Sequence, residues 1–182
     1  MRKNYLKKGL IAGIIVGSIA AFSFLGYIYY MSKKHLAANE KITKSKSFKD
    51  LNLQLTNLDG TPADLTKFSD KHILMNFWAT WCKPCLEEMP LLQKTYNDNE
   101  VKDQYVFILV ADHDLPTIEK FKHEKGYNFV FVKANQDLMS KVGALPTTFI
   151  LDKSQNIIFS QTGSFDNDEK KFKNFLLEKS KK

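Results

Sequence analysis

Residues 73–90 read ILMNFWATWCKPCLEEMP, and the fold follows from how this run changes character along its length. Ile73–Phe77 is a short apolar run, the mark of a strand buried on both faces. Pro84 then opens a stretch in which Leu86, Met89 and Leu92–Gln93 recur at helical spacing, with Pro90 expected to kink it. Cys82 stands where the strand has ended and the helix begins, and Cys85 follows one turn later.

That position has chemical consequences. The first turn of a helix has free backbone N–H groups and a partial positive charge, so a thiolate there is stabilised. Lys83 adds a nearby cation acting in the same sense. Such settings lower a cysteine pKa from about 8.5 into the range ~3.5–7.5, and thiolate is the form that attacks disulfides. Cys85 points to the same face and can close the ring by attacking a mixed disulfide. Pro84 has no N–H to lose at its place and fixes the turn between the sulfurs. These are the only two cysteines, so there is no structural disulfide framework. A lone CxxC supplies only half of a tetrahedral zinc site, and His72, His113 and His123 show no ligand spacing that would complete it. Redox chemistry is the favoured reading and zinc the alternative.

Outward from this centre, strands and helices alternate. Asn52–Leu58 and Thr61–Leu65 suggest a β-hairpin turning at Asp59-Gly60. Tyr105–Ala111 is a second buried strand. Thr117–Lys125 reads as a helix ended by Gly126. Phe129–Val132 is a strand, Asp137–Val142 a short helix and Thr147–Leu151 a further strand. Asn156–Ser160 pairs with that strand, and Asp168–Glu178 forms a terminal helix with Phe172, Phe175 and Leu176 inward. The pattern predicts a compact α/β domain with a mixed sheet. Trp78 and the phenylalanines read as core, whereas Asp112, His113 and Asp114 read as a polar loop.

Residues 73–90 resemble the active-site region of TlpA/ResA-like thiol–disulfide oxidoreductases, a branch of the thioredoxin superfamily. The likeness extends over most of residues 48–180 and includes Gly143–Asp152, GALPTTFILD. It implies a thioredoxin-like fold, a central mixed β-sheet flanked by helices, with an added N-terminal β-hairpin. It also implies display outside the cytoplasmic membrane, Cys82 as the attacking cysteine and Cys85 as the resolving one. Pro146 matches the superfamily's cis-proline, which lies beside the disulfide and shapes a substrate groove that Trp81 would border. Ordinary thioredoxins carry a buried aspartate six residues before the first cysteine; here that place is Asn76. Glu88 matches the acid this branch resembles in using instead, and a carboxyl one turn from the resolving thiol can accept or return its proton. Glu87, its neighbour, reads as a solvated helix charge.

The remaining sequence concerns placement. Arg2, Lys3, Lys7 and Lys8 precede an uncharged, mainly apolar run from Leu10 to Met31. As a helix it would span about 33 Å, enough to cross the hydrocarbon core, with Tyr5 at one end and Tyr27, Tyr29 and Tyr30 at the other. The run is too long for the apolar part of a cleaved signal peptide, so an uncleaved signal anchor is favoured. The bases on its two sides nearly balance, and charge counting leaves the orientation open. Gly9, Gly13, Gly17 and Ala21 share one helix face of the kind that lets two membrane helices approach, although glycine is common in such helices anyway. The expected division is therefore a basic tail and transmembrane anchor over 1–31, a polar tether over 32–47 and the thioredoxin-like domain over 48–182.

Charge excludes one class of partner. Residues 1–46 carry nine Lys/Arg and one acid, a balance of +8, while residues 47–182 carry eighteen bases and nineteen acids, a balance of −1. The folded part exerts no net pull on a polyanion, and nucleic-acid binding drops out. The expected activity is dithiol–disulfide exchange with extracytoplasmic protein thiols or disulfides, in either net direction. It needs no cofactor beyond the cysteine pair and draws on a membrane redox partner. The rivals are the same chemistry facing the cytosol, a thiol peroxidase of the superfamily, and a redox-inert binding or assembly module.

Overall fold

A computed structural model of the chain describes residues 16–31, residue 33 and residues 54–181. Among the described residues, six strands form one sheet: β1 (Leu55–Asn57), β2 (His72–Phe77), β3 (Tyr105–Ala111), β4 (Val130–Ala134), β5 (Thr147–Leu151) and β6 (Ile157–Thr162). The helices of the same unit are α1 (Lys83–Tyr96), α2 (Asn99–Gln104), α3 (Leu115–Lys125), α4 (Gln136–Val142) and α5 (Glu169–Lys179). The strand order is β1-β4-β3-β2-β5-β6. The β4–β3 and β3–β2 pairs are parallel, and β1, β5 and β6 join antiparallel, giving the mixed sheet expected from the alternating pattern.

The two apolar runs lie at the centre because every residue of β2 and β3 is buried. Their side chains alternate between two cores. Leu74, Tyr105, Phe107 and Leu109 face one core, with Met89 and Leu92 of α1 and Phe172 and Leu176 of α5. Ile73, Met75, Phe77, Val106, Ile108 and Val110 face the other, with Leu138 and Val142 of α4. The period of two places Asn76 on the Leu74 side, toward α1. The first core is rich in rings: Phe107 stacks on Phe129 at 6.2 Å, and Tyr96 lies 4.8 Å from Phe107.

Several boundaries differ from the sequence reading for identifiable reasons. The second arm of the expected hairpin, Thr61–Leu65, is no strand. It meets β1 through one isolated bridge, Thr56 to Pro62, held by Asn57 N–H to the Thr61 carbonyl and Ala63 N–H to the Leu55 carbonyl. Asp64 then caps a 3-10 turn at Leu65–Phe68 through the Thr66 N–H. The turn at Asp59-Gly60 does form, with Gly60 at φ 84°, while Asn52 and Leu53 lie outside the described residues. The other side of β1 pairs with β4. Helix α2 went unread, although Asp98 caps it. Helix α3 starts before Thr117, since Asp114 caps it and Pro116 fits its first turn. Helix α1 runs through Pro90 without interruption.

Residues 16–31 form a helix of their own with exposed side chains, Phe22 at 76% among them. Among the described residues, no helix is long and apolar enough to cross a membrane. Residues 10–15 of the expected span, Gly9 and Gly13 of the small-residue stripe, and the expected tether apart from Lys33 lie outside the described residues.

Tyr105 illustrates how the last helix is tied down. Its buried hydroxyl donates to the Leu176 carbonyl at 2.7 Å, and burial pushes the phenol's pKa well above its usual value. The carbonyl also accepts from Ser180 N–H, so it keeps one partner if the hydroxyl is removed. Tyr105→Phe should therefore destabilise the fold by about 1 kcal/mol, read as a lowered denaturant midpoint at unchanged slope. An unchanged midpoint would show that this bond contributes nothing net.

Candidate active site

The site forms where β2 ends and α1 begins. Trp78 prolongs β2 by one residue, donating its N–H to the Val110 carbonyl at 3.0 Å. The chain then turns: Cys82 N–H donates to the Ala79 carbonyl at 3.1 Å, with Thr80 and Trp81 at the corner. Cys82 is the N-cap of α1, Lys83 and Pro84 follow in its first turn, and Cys85 N–H points at Cys82 Sγ, 3.3 Å away. An amide aimed at that sulfur favours negative charge on it.

Cys82 and Cys85 are joined as a disulfide with Cα atoms 5.3 Å apart. Both are buried. Beside them Trp81 is 75% exposed, an apolar plate on the surface, whereas Trp78 is fully buried against Phe121 and Phe131. Lys83 is exposed and stands 3.6 Å from Glu87, so its charge is shared with an exposed acid and screened by solvent.

Glu88 has no such freedom. It lies on the buried face of α1 and is only 4% exposed. Its Oε2 accepts from Asn76 Nδ2 at 3.2 Å and its Oε1 from Phe165 N–H at 2.9 Å. The same Asn76 amide nitrogen donates to Thr148 Oγ1 of β5 at 2.9 Å, and Asn76 Oδ1 has no partner. Burial raises the Glu88 pKa above its ordinary value, with the Phe165 and Asn76 hydrogen bonds opposing. A buried carboxyl whose proton is held more tightly than usual can keep and return a proton more readily than a solvated one. It also lines a cleft of about 470 Å³ bounded by Pro84, Leu91, Ser164 and Phe165, which gives the carboxyl a route to solvent.

Pro146 enters at the same end of the sheet. The Leu145–Pro146 bond is cis, and Thr147, the next residue, pairs with Phe77 at the end of β2. The Pro146 carbonyl accepts from Gly163 N–H at 2.8 Å. The sequence-derived residues Trp81, Cys82, Lys83, Pro84, Cys85 and Glu88 therefore share one turn and the start of one helix, with Pro146 at the adjoining strand end.

Two contributors went unread in the sequence. The loop after β6 supplies the Phe165 N–H to Glu88, and Ser164 Oγ donates to the Pro84 carbonyl at 3.3 Å. No local signal marks a backbone amide as a partner for a carboxylate so distant in sequence. The other is His113, read as loop, whose Nε2 lies 3.0 Å from Thr80 N. Its signal was its place after a central strand, where ligands gather in open α/β sheets. Among the described residues, no group of three His, Cys, Asp or Glu side chains is placed to hold a metal ion.

Comparison with known proteins agrees with this architecture. The Redoxin family description matches residues 43–176. The thiol-disulfide oxidoreductase ResA of Bacillus cereus is 30% identical over 161 residues, covering 87% of this chain and 88% of the relative. ResA of Geobacillus kaustophilus is 37% identical over 120 residues, 63% of this chain and 68% of the relative. Among solved structures, StoA from Bacillus subtilis superposes with a TM-score of 0.54 at 21% identity, over 67% of this chain and 93% of that one. A thioredoxin family protein from Chlorobium tepidum, titled a thiol:disulfide interchange protein, gives 0.56 at 22% identity, over 69% and 90%. Those two likenesses show the thioredoxin-like fold. With a sheet and helices of that arrangement, a family match over most of its length and ResA relatives at this identity, the chain belongs to the Redoxin family and is a ResA-like disulfide oxidoreductase.

Proposed function

We propose that the WCKPC segment is the redox centre and that it exchanges dithiol and disulfide with extracytoplasmic protein substrates. The observation that carries this reading is the Cys82–Cys85 disulfide at the N-terminus of α1, with the Cys85 amide aimed at Cys82 Sγ and a buried carboxyl one turn beyond. In the reducing direction the Cys82 thiolate attacks a client disulfide, forming a mixed disulfide and releasing one client thiolate, which takes a proton from solvent. Cys85 loses its proton to the Glu88 carboxylate and attacks Cys82 Sγ. The second client sulfur leaves with the electron pair, and two electrons have passed from the cysteine pair to the client. The oxidising direction runs the same steps backward, with a membrane redox partner resetting the pair. Trp81 and the cis-Pro146 segment supply apolar and backbone surface for the client, and Lys83 and Pro84 shape the turn between the sulfurs.

Placement at the membrane belongs to the same proposal. The basic tail and the apolar run Leu10–Met31 support a signal anchor, with the catalytic domain on the outer side. Protease added to wall-stripped protoplasts should then remove residues 48–182 and leave the anchor in the membrane. Digestion only after lysis would place the domain in the cytosol.

The cysteine roles separate by mutation. Cys82→Ser should abolish turnover, whereas Cys85→Ser should accumulate mixed disulfides with clients, seen as thiol-sensitive adducts on gels. If Cys82→Ser is the variant that traps adducts, the roles are reversed.

Glu88→Gln tests the proton relay and the buried charge together. Gln can keep the Phe165 contact, and rotation of the Asn76 amide brings its unpaired Oδ1 to the new NH₂, so the fold should hold. Exchange should slow at least roughly tenfold, and the Cys85 thiol should titrate lower, since a carboxylate nearby disfavours thiolate. The stability change has a definite sign. A carboxyl whose folded pKa is raised contributes stability that is full below its ordinary value and lost as pH rises through the folded one. Denaturant midpoints of Glu88→Gln relative to wild type should therefore rise between pH 4 and pH 8. Unchanged exchange and thiol titration would return Glu88 to a purely structural role.

A further inference from the structure

The corner that leads into Cys82 has a tether from outside its own elements. Ala79 to Cys82 is a closed turn, and in such a turn the N–H of the second residue has no partner within it. That residue is Thr80, and its N–H donates to His113 Nε2 at 3.0 Å. Thr80 Oγ1 lies 3.2 Å from the same nitrogen. The imidazole also meets the buried Trp78 edge-on, centroids 6.3 Å apart, so it is held against the wall of the redox turn. A backbone N–H can only donate. Nε2 must therefore carry its lone pair, and the ring that fits is neutral with its proton on Nδ1.

We propose that His113 is a positioning residue for the exchange reaction: its ring nitrogen fastens the Thr80 amide and so holds Cys82 at the start of α1. The proposal rests on Cys82 being the redox nucleophile. Without that acceptor the Thr80 amide is left half-buried with no partner for its hydrogen.

The test uses the full chain in detergent micelles, oxidised, as wild type, His113→Ala and His113→Gln. Gln places an oxygen near the position of Nε2. Reduction of the disulfide by dithiothreitol is timed for all three proteins under one set of conditions. His113→Ala should react about fivefold more slowly than wild type, the loss expected for one hydrogen bond that orients the reacting sulfur, with His113→Gln within about twofold of wild type. Hydrogen exchange at the Thr80 amide should be slow in wild type and in His113→Gln, and fast in His113→Ala. Equal Thr80 exchange in all three proteins overturns the proposal, as does a His113→Gln rate no nearer to wild type than that of His113→Ala. The amide measurement is independent of redox activity, so failure of the exchange reading, seen as a disulfide inert toward protein thiols, is a separate outcome.

Discussion

Burial of β2 on both faces and along both edges is the constraint from which the site follows. Its neighbours are β3 on one side and β5 on the other, and its side chains alternate between two cores. A strand so enclosed can shed its chain only at its end, and this one does so at Trp78, directly into a tight turn and a helix. The sulfur of Cys82 therefore lies at a helix N-terminus because the strand before it has no other exit. The backbone amide that points at this sulfur is there as a by-product of packing.

The same enclosure makes Asn76 and Glu88 costly, and their arrangement shows how the cost is met. Asn76 interrupts an otherwise apolar strand on the α1 side. It uses both amide hydrogens, one toward Glu88 and one toward Thr148, while its oxygen is left without a partner. Glu88 is in turn held by Phe165 N–H from the loop beyond β6. Helix, central strand and C-terminal loop thus converge on one carboxyl, so a change in its charge is felt by three elements that share no local sequence. Groups buried this way are high-stakes, since a lost partner leaves a desolvated charge or dipole.

Legibility in the sequence followed the range of the interaction. The buried strands, the helix after Pro84 and the cysteine pair were readable because period, proline and spacing are local signals. Glu88 was readable only by resemblance, since its spacing to Cys85 says which face it shares and not what lies opposite. The second hairpin arm failed because Asp-Gly fixes a turn but not the length of pairing after it, and Asp64, by capping a 3-10 turn, ended that pairing early. Helix α2 lacked an apolar stripe long enough to register, leaving Asp98 as its only marker. His113 and Phe165 act through contacts made in the folded chain alone, and a polar loop or a core aromatic was the fair reading of each in isolation.

The two indoles at the turn that leads into Cys82 have a consequence for anyone observing this protein in solution. The chain has just two tryptophans; Trp78 is sealed in the core and Trp81 is open to water, with the Cys82 sulfur next to it in sequence. Their emission bands should be separable, blue for the enclosed ring and red for the solvated one, and a soluble quencher can reach only the second. A disulfide quenches a neighbouring excited indole more than a dithiol does. Trp78 shares one buried cluster with both cysteines and Trp81 adjoins Cys82 along the chain, so opening the disulfide should brighten both bands, and the quencher separates the two responses.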